Sequence, residues 1–369
     1  MTASWLDTMY VRGGTSRGLF FRAADLPPRE QWERVFSDVM GSPDPNGRQL
    51  DGMGGGISSL SKVVVVEPSS DPDFDLAYTF AQVDVGSTFV DFSGNCGNLS
   101  SGVAPFALEA GILKVADGKH EFRLFNTNTG KTVLARVTVV DGRAAIDGDF
   151  ALPGVAESTS PIELVYPSPA GSRTGALLPT GTAREVIDGI DVTLIDACLP
   201  MVLVRAADLG LSGTELPTDI DARTAVMACL ETLRREGARR MGLCDDVAGA
   251  PSAGPKIGMV AAPADAPVLD GTTLAAGDID LLVRVISMEQ AHKAVPGTGA
   301  MCIAAAATVP DSLVTEVIGH TISGTPVRLG TPSGAVASAA VANGDELQET
   351  SLLRSARVLM RGQVACRVL

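Results

Sequence analysis

Apolar residues fall along this chain in short runs, and most of those runs predict strands. Val63-Val64-Val65-Val66 is the plainest: four β-branched residues, apolar on both faces, as a buried strand requires. Tyr10 to Phe21 reads as strand, Gly-rich turn and strand, a β-hairpin with Gly13, Gly14 and Gly18 about its tip. Further strands are expected at Leu76–Val85, Phe89–Phe92, Phe122–Phe125, Val133–Val140, Ile190–Ile195, Met201–Val204, Ile257–Ala261 and Ile279–Ile286. Helical spacing marks fewer stretches. Pro27-Pro28-Arg29-Glu30 opens a short helix over Gln31–Met40, since proline suits a first turn. Val103 to Leu113 follows a Gly-rich turn as a helix, and Ile303 to Val309 does the same later. Between Ile220 and Gly242, residues Ala225, Met227, Ala228, Leu230 and Leu233 recur at helical spacing.

Each half therefore holds strands, then a small-residue turn, then a helix that starts on that turn. The pattern reads as a weak duplication and an α+β architecture, because strands do not alternate regularly with helices. A linkage rich in Gly and Pro, from Ser168 to Thr182, places the boundary, giving domains 1–182 and 183–369. The final strand can pair with either sheet.

Composition narrows the function classes. At 369 residues two domains are the default. A formal net charge of −14 argues against nucleic acid, which needs a cationic surface, but leaves room for a small anionic substrate held by local donors. The start lacks the basic and apolar regions of a secretory signal, and no apolar run spans a bilayer, so no membrane partner is expected. Six cysteines lie far apart without a CxxC pair, which fits reduced thiols in a cytoplasm. With only three histidines, widely spaced, a metal site is not expected.

The candidate chemistry centres on Ser93-Gly94-Asn95-Cys96-Gly97-Asn98, where a thiol stands at the start of a helix. Backbone N–H groups there are free to face an anion, and a thiol so placed is easily ionised. A buried structural cysteine is the plainer alternative. Lys62 sits at the mouth of the valine strand, either snorkelling outward or desolvated and able to accept a proton near neutral pH. Thr15, Ser16 and Arg17 make a carboxylate-binding hairpin tip or an ordinary solvated turn. In the second half the counterpart turn is Pro296-Gly297-Thr298-Gly299-Ala300.

Taken together, Arg12-Gly13-Gly14-Thr15-Ser16-Arg17-Gly18, Ser61-Lys62-Val63, Gly94-Asn95-Cys96-Gly97-Asn98, Pro105-Phe106-Ala107 and Thr298-Gly299-Ala300 resemble the signature of the 2-methylaconitate cis–trans isomerase family. That family includes 4-oxalomesaconate tautomerases and methylitaconate Δ-isomerases. The resemblance extends to Leu178-Pro179-Thr180-Gly181, Pro332-Ser333-Gly334 and an Arg354–Met360 helix. It implies the diaminopimelate-epimerase-like fold: two similar domains, each a curled, mostly antiparallel sheet around a central helix, with the site in the cleft. It implies no metal or organic cofactor, a small polycarboxylate substrate, and catalytic roles for Lys62 and Cys96. Substrate contacts are expected from Thr15, Ser16, Arg17, Asn95, Gly97 and Asn98, and from Gly297, Thr298, Gly299 and Ala300. A homodimer is left open. Racemase relatives of this fold use two thiols, and here Pro296 stands at the second thiol's place, which disfavours a two-thiol racemase. A non-catalytic carboxylate-binding protein is the alternative from another class. Lys293 and Thr331 occupy places where the family motif carries histidine, and Leu199 one where asparagine is usual, so a substrate other than methylaconitate stays open.

Overall fold

The computed structural model describes residues 4–251, 254–287 and 289–368. They form two compact units: Met1–Val165 together with Leu353–Leu369, and Tyr166–Leu352.

The first unit begins with the expected hairpin, β1 (Ser4–Gly13) and β2 (Ser16–Arg22), paired antiparallel with Arg12 opposite Arg17. Helix α1 (Trp32–Met40) follows, and Gly41, left-handed at φ 79°, ends it. The valine run lies in β3 (Lys62–Pro68), parallel to β2 on one side and antiparallel to β4 (Leu76–Val83) on the other. Helices α2 (Gly97–Ser100) and α3 (Val103–Glu109) come next, then β5 (Gly118–Asn126), parallel to β4, and β6 (Lys131–Val140), antiparallel to β5.

The second unit repeats this order. Strands β7 (Ile190–Ala197) and β8 (Leu199–Arg205) are antiparallel, and helix α4 (Thr224–Arg240) follows. Strand β9 (Lys256–Ala261) is parallel to β8 and antiparallel to β10 (Leu281–Ser287). Helix α5 (Gly297–Ala306) leads to β11 (Pro326–Thr331), parallel to β10, and to β12 (Gly334–Asn343), antiparallel to β11. From β1 to β6 and from β7 to β12 the pairing sense runs identically: antiparallel, parallel, antiparallel, parallel, antiparallel. The duplication read from the pattern is thus a duplication of topology. Strand β13 (Glu346–Arg354) pairs with β12 and carries the chain out of the second unit. Strand β14 (Ala356–Cys366) then lies antiparallel to β1 along its whole length.

Alternation along the buried strands decides which helix each face meets. In the first unit Leu19, Phe21, Val63 and Val65 pack with Val35 and Phe36 of α1. Phe20, one residue out of phase, meets Phe106 of α3 with ring centroids 5.6 Å apart. In the second, Val202, Val204, Ile257 and Met259 pack with Leu230 and Leu233 of α4, while Met201, Leu203, Val283 and Val285 face α5. Helix α5 is buried on every side from Gly299 onward, as is α3 from Val103 to Leu108. A helix apolar all round can only be central. The fold is α+β, two similar units with a sheet around a central helix.

Several expectations are corrected. Arg354–Met360 is not a helix. Its good helix formers are overridden by the unpaired backbone of β1, which β14 satisfies. The register slips once, between Tyr10 opposite Met360 and Val11 opposite Val358, so Leu359 is an extra residue bulged from the ladder. Helix α5 starts at Gly297, not Ile303, so the small residues are its first turn, not a loop before it. The Ile220–Gly242 helix is two pieces, Pro217–Asp221 and α4, and Ala225 and Ala228 of the expected stripe are exposed. The 168–182 stretch folds onto β7: Gly171 N–H donates to Asp196 O at 2.8 Å, Asp196 N–H to Leu177 O at 2.9 Å, and Cys198 N–H to Pro169 O at 2.9 Å. The division between units accordingly falls at 165/166 instead of 182.

Candidate active site

Cys96 caps α2 in an extended conformation, φ −117° and ψ 99°. Its carbonyl accepts from Ser100 N–H at 2.9 Å and from the Ser100 hydroxyl at 3.1 Å. Its own N–H donates to Asn95 Oδ1 at 2.8 Å, and the same oxygen accepts from the Tyr78 hydroxyl at 3.2 Å. Tyr78 is buried, and burial pushes its phenol up to about 12, so it stays protonated and remains a donor. These bonds fix the backbone on both sides of a half-buried thiol. Helix α2 is a single turn; Ser101 and Gly102, both right-handed helical, join it to α3. Its macrodipole is therefore short, and the donors it offers an anion are chiefly the local N–H groups of Gly97 and Asn98.

The hairpin tip rests on this helix start. A Cβ at Gly13 would lie 2.4 Å from the Asn98 carbonyl oxygen, and one at Gly14, which is left-handed at φ 52°, 2.3 Å from Asn98 Oδ1. Only glycine admits so close an approach. The Asn98 amide donates to Thr15 Oγ1 at 3.0 Å and Ser16 Oγ at 3.4 Å, and Asn98 Oδ1 accepts from Arg354 Nε at 3.1 Å. Each hydroxyl accepts from Asn98 and keeps its own proton to donate. The two arginines of the tip part company. Arg12 Nη1 donates inward to Gly14 O and Ser355 O, both at 3.0 Å, whereas exposed Arg17 lies over the Tyr10 ring at 5.5 Å.

Lys62 is buried at the first position of β3, directly across the ladder from Gln82. Its Nζ donates to Gln82 Oε1 and lies 5.2 Å from the centre of the Phe80 ring. Burial lowers its pKa below the ordinary lysine value, while the charge of Cys96 pulls the other way. That opposing pull places thiol and amine within electrostatic reach of one another. Of the residues singled out by sequence in this unit, Thr15 and Ser16 are hydrogen-bonded to Asn98, Cys96 is bonded to Asn95, and Gly97 joins the two groups along the chain; their further partners are Tyr78, Ser100 and Arg354. Tyr78 and Gln82 carry no local motif, and only the strand register brings them in; Ser100 comes from α2 itself and Arg354 from the end of β13.

In the second unit, Pro296 caps α5, and its carbonyl accepts Ala300 N–H at 2.9 Å. Gly297 to Gly299 form the first turn, where N–H groups lack partners within the helix; Thr298 is exposed, Gly299 and Ala300 buried. Cys302 is buried in α5 and its thiol is raised by burial, so it packs instead of reacting. Thr331 is buried with its hydroxyl donating to Gly334 O at 2.8 Å, and the Ser333 hydroxyl donates to Lys293 O at 2.5 Å. Among the described residues no group of three or more His, Cys, Asp or Glu side chains could hold a metal ion, and no helix is long and apolar enough to cross a membrane.

The family profile described as PrpF protein matches residues 5–367. The chain belongs to the PrpF family. It is 41% identical to the 2-methyl-aconitate isomerase of Shewanella oneidensis, over 96% of this chain and 95% of that one. The crystal structure of a methylitaconate-delta-isomerase superposes with a TM-score of 0.92 at 34% identity, covering 99% of this chain and 96% of the other. A hydroxyproline epimerase from Agrobacterium vitis, 15% identical with a TM-score of 0.51 over 98% and 92% of the chains, shares the fold alone. This PrpF chain is an isomerase.

Proposed function

We propose that this chain isomerises an unsaturated di- or tricarboxylic acid of the 2-methylaconitate class by moving a proton within an allylic system, with Lys62 as base and Cys96 as acid. The observation that carries the reading is the pairing itself: a buried lysine whose amine is shifted toward its neutral form, within the field of a half-buried thiol at a helix start. Neutral Lys62 takes a proton from the carbon allylic to the carboxylate-bearing double bond and becomes an ammonium. The electron pair spreads into a dienolate. Cys96 returns a proton at the far carbon, giving the shifted double bond. Alternatively, rotation precedes reprotonation at the original carbon, giving cis–trans exchange. In the first case the ammonium and thiolate then exchange a proton to reset the pair; in the second the Lys62 ammonium returns the proton itself and both groups are restored directly. Developing carboxylate charge is met by Arg17, the Thr15 and Ser16 hydroxyls and the N–H groups of Gly97 and Asn98. The first turn of α5, Gly297 to Ala300, has N–H groups of the kind that bind a carboxylate. Cysteines far apart in the chain and without a CxxC pair suit a reducing compartment, the cytoplasm.

The test is proton NMR in D2O with trans-aconitate, 2-methylaconitate, oxalomesaconate and methylitaconate in turn. Deuterium is expected to enter one of them at an allylic carbon during turnover. Turnover without any solvent deuterium, or no turnover of any of the four, would sink the reading. The sequence similarity to a 2-methyl-aconitate isomerase favours that acid first.

A further inference from the structure

We infer that Gln82 is a positioning residue for Lys62: its amide oxygen takes one N–H of the amine, so that the remaining face of the nitrogen is turned away from β4 and held there. The inference rests on Lys62 being the base proposed above.

The orientation of the amide is forced by chemistry. Gln82 Nε2 donates to the Ser61 carbonyl at 2.9 Å and to the Ser58 carbonyl at 3.1 Å. Carbonyl oxygens can only accept, so the nitrogen must face them and the oxygen must face Lys62. Those carbonyls are themselves fixed. Ser61 donates through its hydroxyl to Val83 O at 2.9 Å and accepts from Gln49 Nε2 at 2.7 Å, while Gln49 Oε1 accepts from Gly56 N–H at 3.0 Å. Gln49 and Ser61 are both buried. The Gly-rich segment ahead of β3 is thus pinned to β4 through two glutamines and a serine, and Lys62 sits at the end of that chain of bonds. On its other side a Cβ at Gly18 would stand 2.3 Å from the Lys62 carbonyl oxygen, so β2 closes against the lysine backbone as well.

The choice of amide over carboxylate has a chemical consequence. A neutral amine has two N–H bonds and one lone pair. An uncharged acceptor holds one N–H while favouring the ammonium far less than a charged one, so burial can still leave the lone pair available. A carboxylate in the same place would stabilise the charged form strongly. Phe80, on the same face of β4, adds only a weak attraction for the cation. Cys96 raises the Lys62 pKa against the effect of burial, and Tyr78, farther along β4, stays protonated.

Gln82→Glu and Gln82→Leu separate positioning from mere structure. Glutamate keeps the shape of the amide, and it is expected to move the acid limb of the kcat/KM profile upward by about one pH unit or more. Gln82→Leu is expected to lower kcat by about ten- to a hundredfold with KM little changed. Unmoved pH limbs together with an unchanged kcat would overturn the inference, whatever the melting temperatures do. In the unaltered enzyme, a slowly exchanging Lys62 Nζ–H resonance in 15N NMR is expected, and free exchange would count equally against it. Lys62→Ala distinguishes the two claims. If it retains full activity the proposed reaction fails; if it is dead while the Gln82 variants behave as wild type, only this inference fails.

Discussion

The start of β3 and the start of β9 are the same place in a repeated topology, yet they carry different chemistry. Each strand runs parallel to one neighbour and antiparallel to the other, and each begins with a lysine, Lys62 or Lys256. Both amines are lowered by burial, and both donate across the antiparallel pair, Lys62 to Gln82 and Lys256 to Ser287 Oγ at 2.6 Å. The divergence lies in what faces them. At the helix start that follows, the first unit has Cys96 and the second has Pro296, which has no acidic proton. Cys96 acts on Lys62 to raise its pKa against burial; the Arg234 guanidinium acts on Lys256 to lower it further. A desolvated lysine is therefore a property of the fold, present twice. A lysine with an acid to work against is present once.

The sharpest way to break this comparison is to remove the two lysines separately. Lys62→Ala is expected to lower kcat by about a thousandfold or more, within the range of general acid–base contributions, with the circular dichroism spectrum unchanged. Cys96→Ser comes next. A hydroxyl donates its proton far less readily than a thiol, and a loss of about a hundredfold is expected in steady-state kcat. A serine variant at wild-type speed would mean that position 96 only orients the substrate. Lys256→Met, by contrast, is expected to change kcat or KM by about threefold at most, the scale of one charge near a helix end. A thousandfold loss there would erase the asymmetry between the units and put the base in the wrong half.

How much of this was legible in the sequence differs between scaffold and site. The valine run, the glycines at 13, 14 and 18 and the Cys-Gly-Asn turn each carry a local physical signature, and they announce a buried strand, a tight hairpin and a helix start. Gln82 has no such signature. Nothing in Ala81-Gln82-Val83 marks an acceptor for Lys62 until β3 and β4 are laid in register. Arg354 likewise reaches Asn98 across 256 positions of sequence. The Arg354–Met360 segment misleads for the opposite reason: its local preference is helical, and the decision belongs to β1, more than three hundred residues away. Local pattern finds groups that need a particular backbone. It does not find groups that need a particular neighbour.

The smallest expected effect concerns stability and follows from the sign of the Lys62 shift. Its folded-state pKa is depressed by burial, so between that value and the ordinary lysine value of about 10.4 the unfolded chain binds more protons than the folded one. Stability contributed through this group must then rise with pH across that window. At neutral pH the folded protein bears the cost of a buried, charged or reluctantly discharged amine; near the top of the window the cost is gone. Lys62→Met removes the titrating group while keeping an unbranched apolar stem. Thermal melts of the two proteins in parallel, from pH 7 to 10, are expected to show the wild type gaining on the variant as pH rises. Tyr78 lies outside the effect, since its phenol titrates only at about 12. A difference in melting temperature that stays flat over this range would mean that Lys62 is not desolvated, and an ordinary solvated lysine at the mouth of β3 could not serve as a base at neutral pH.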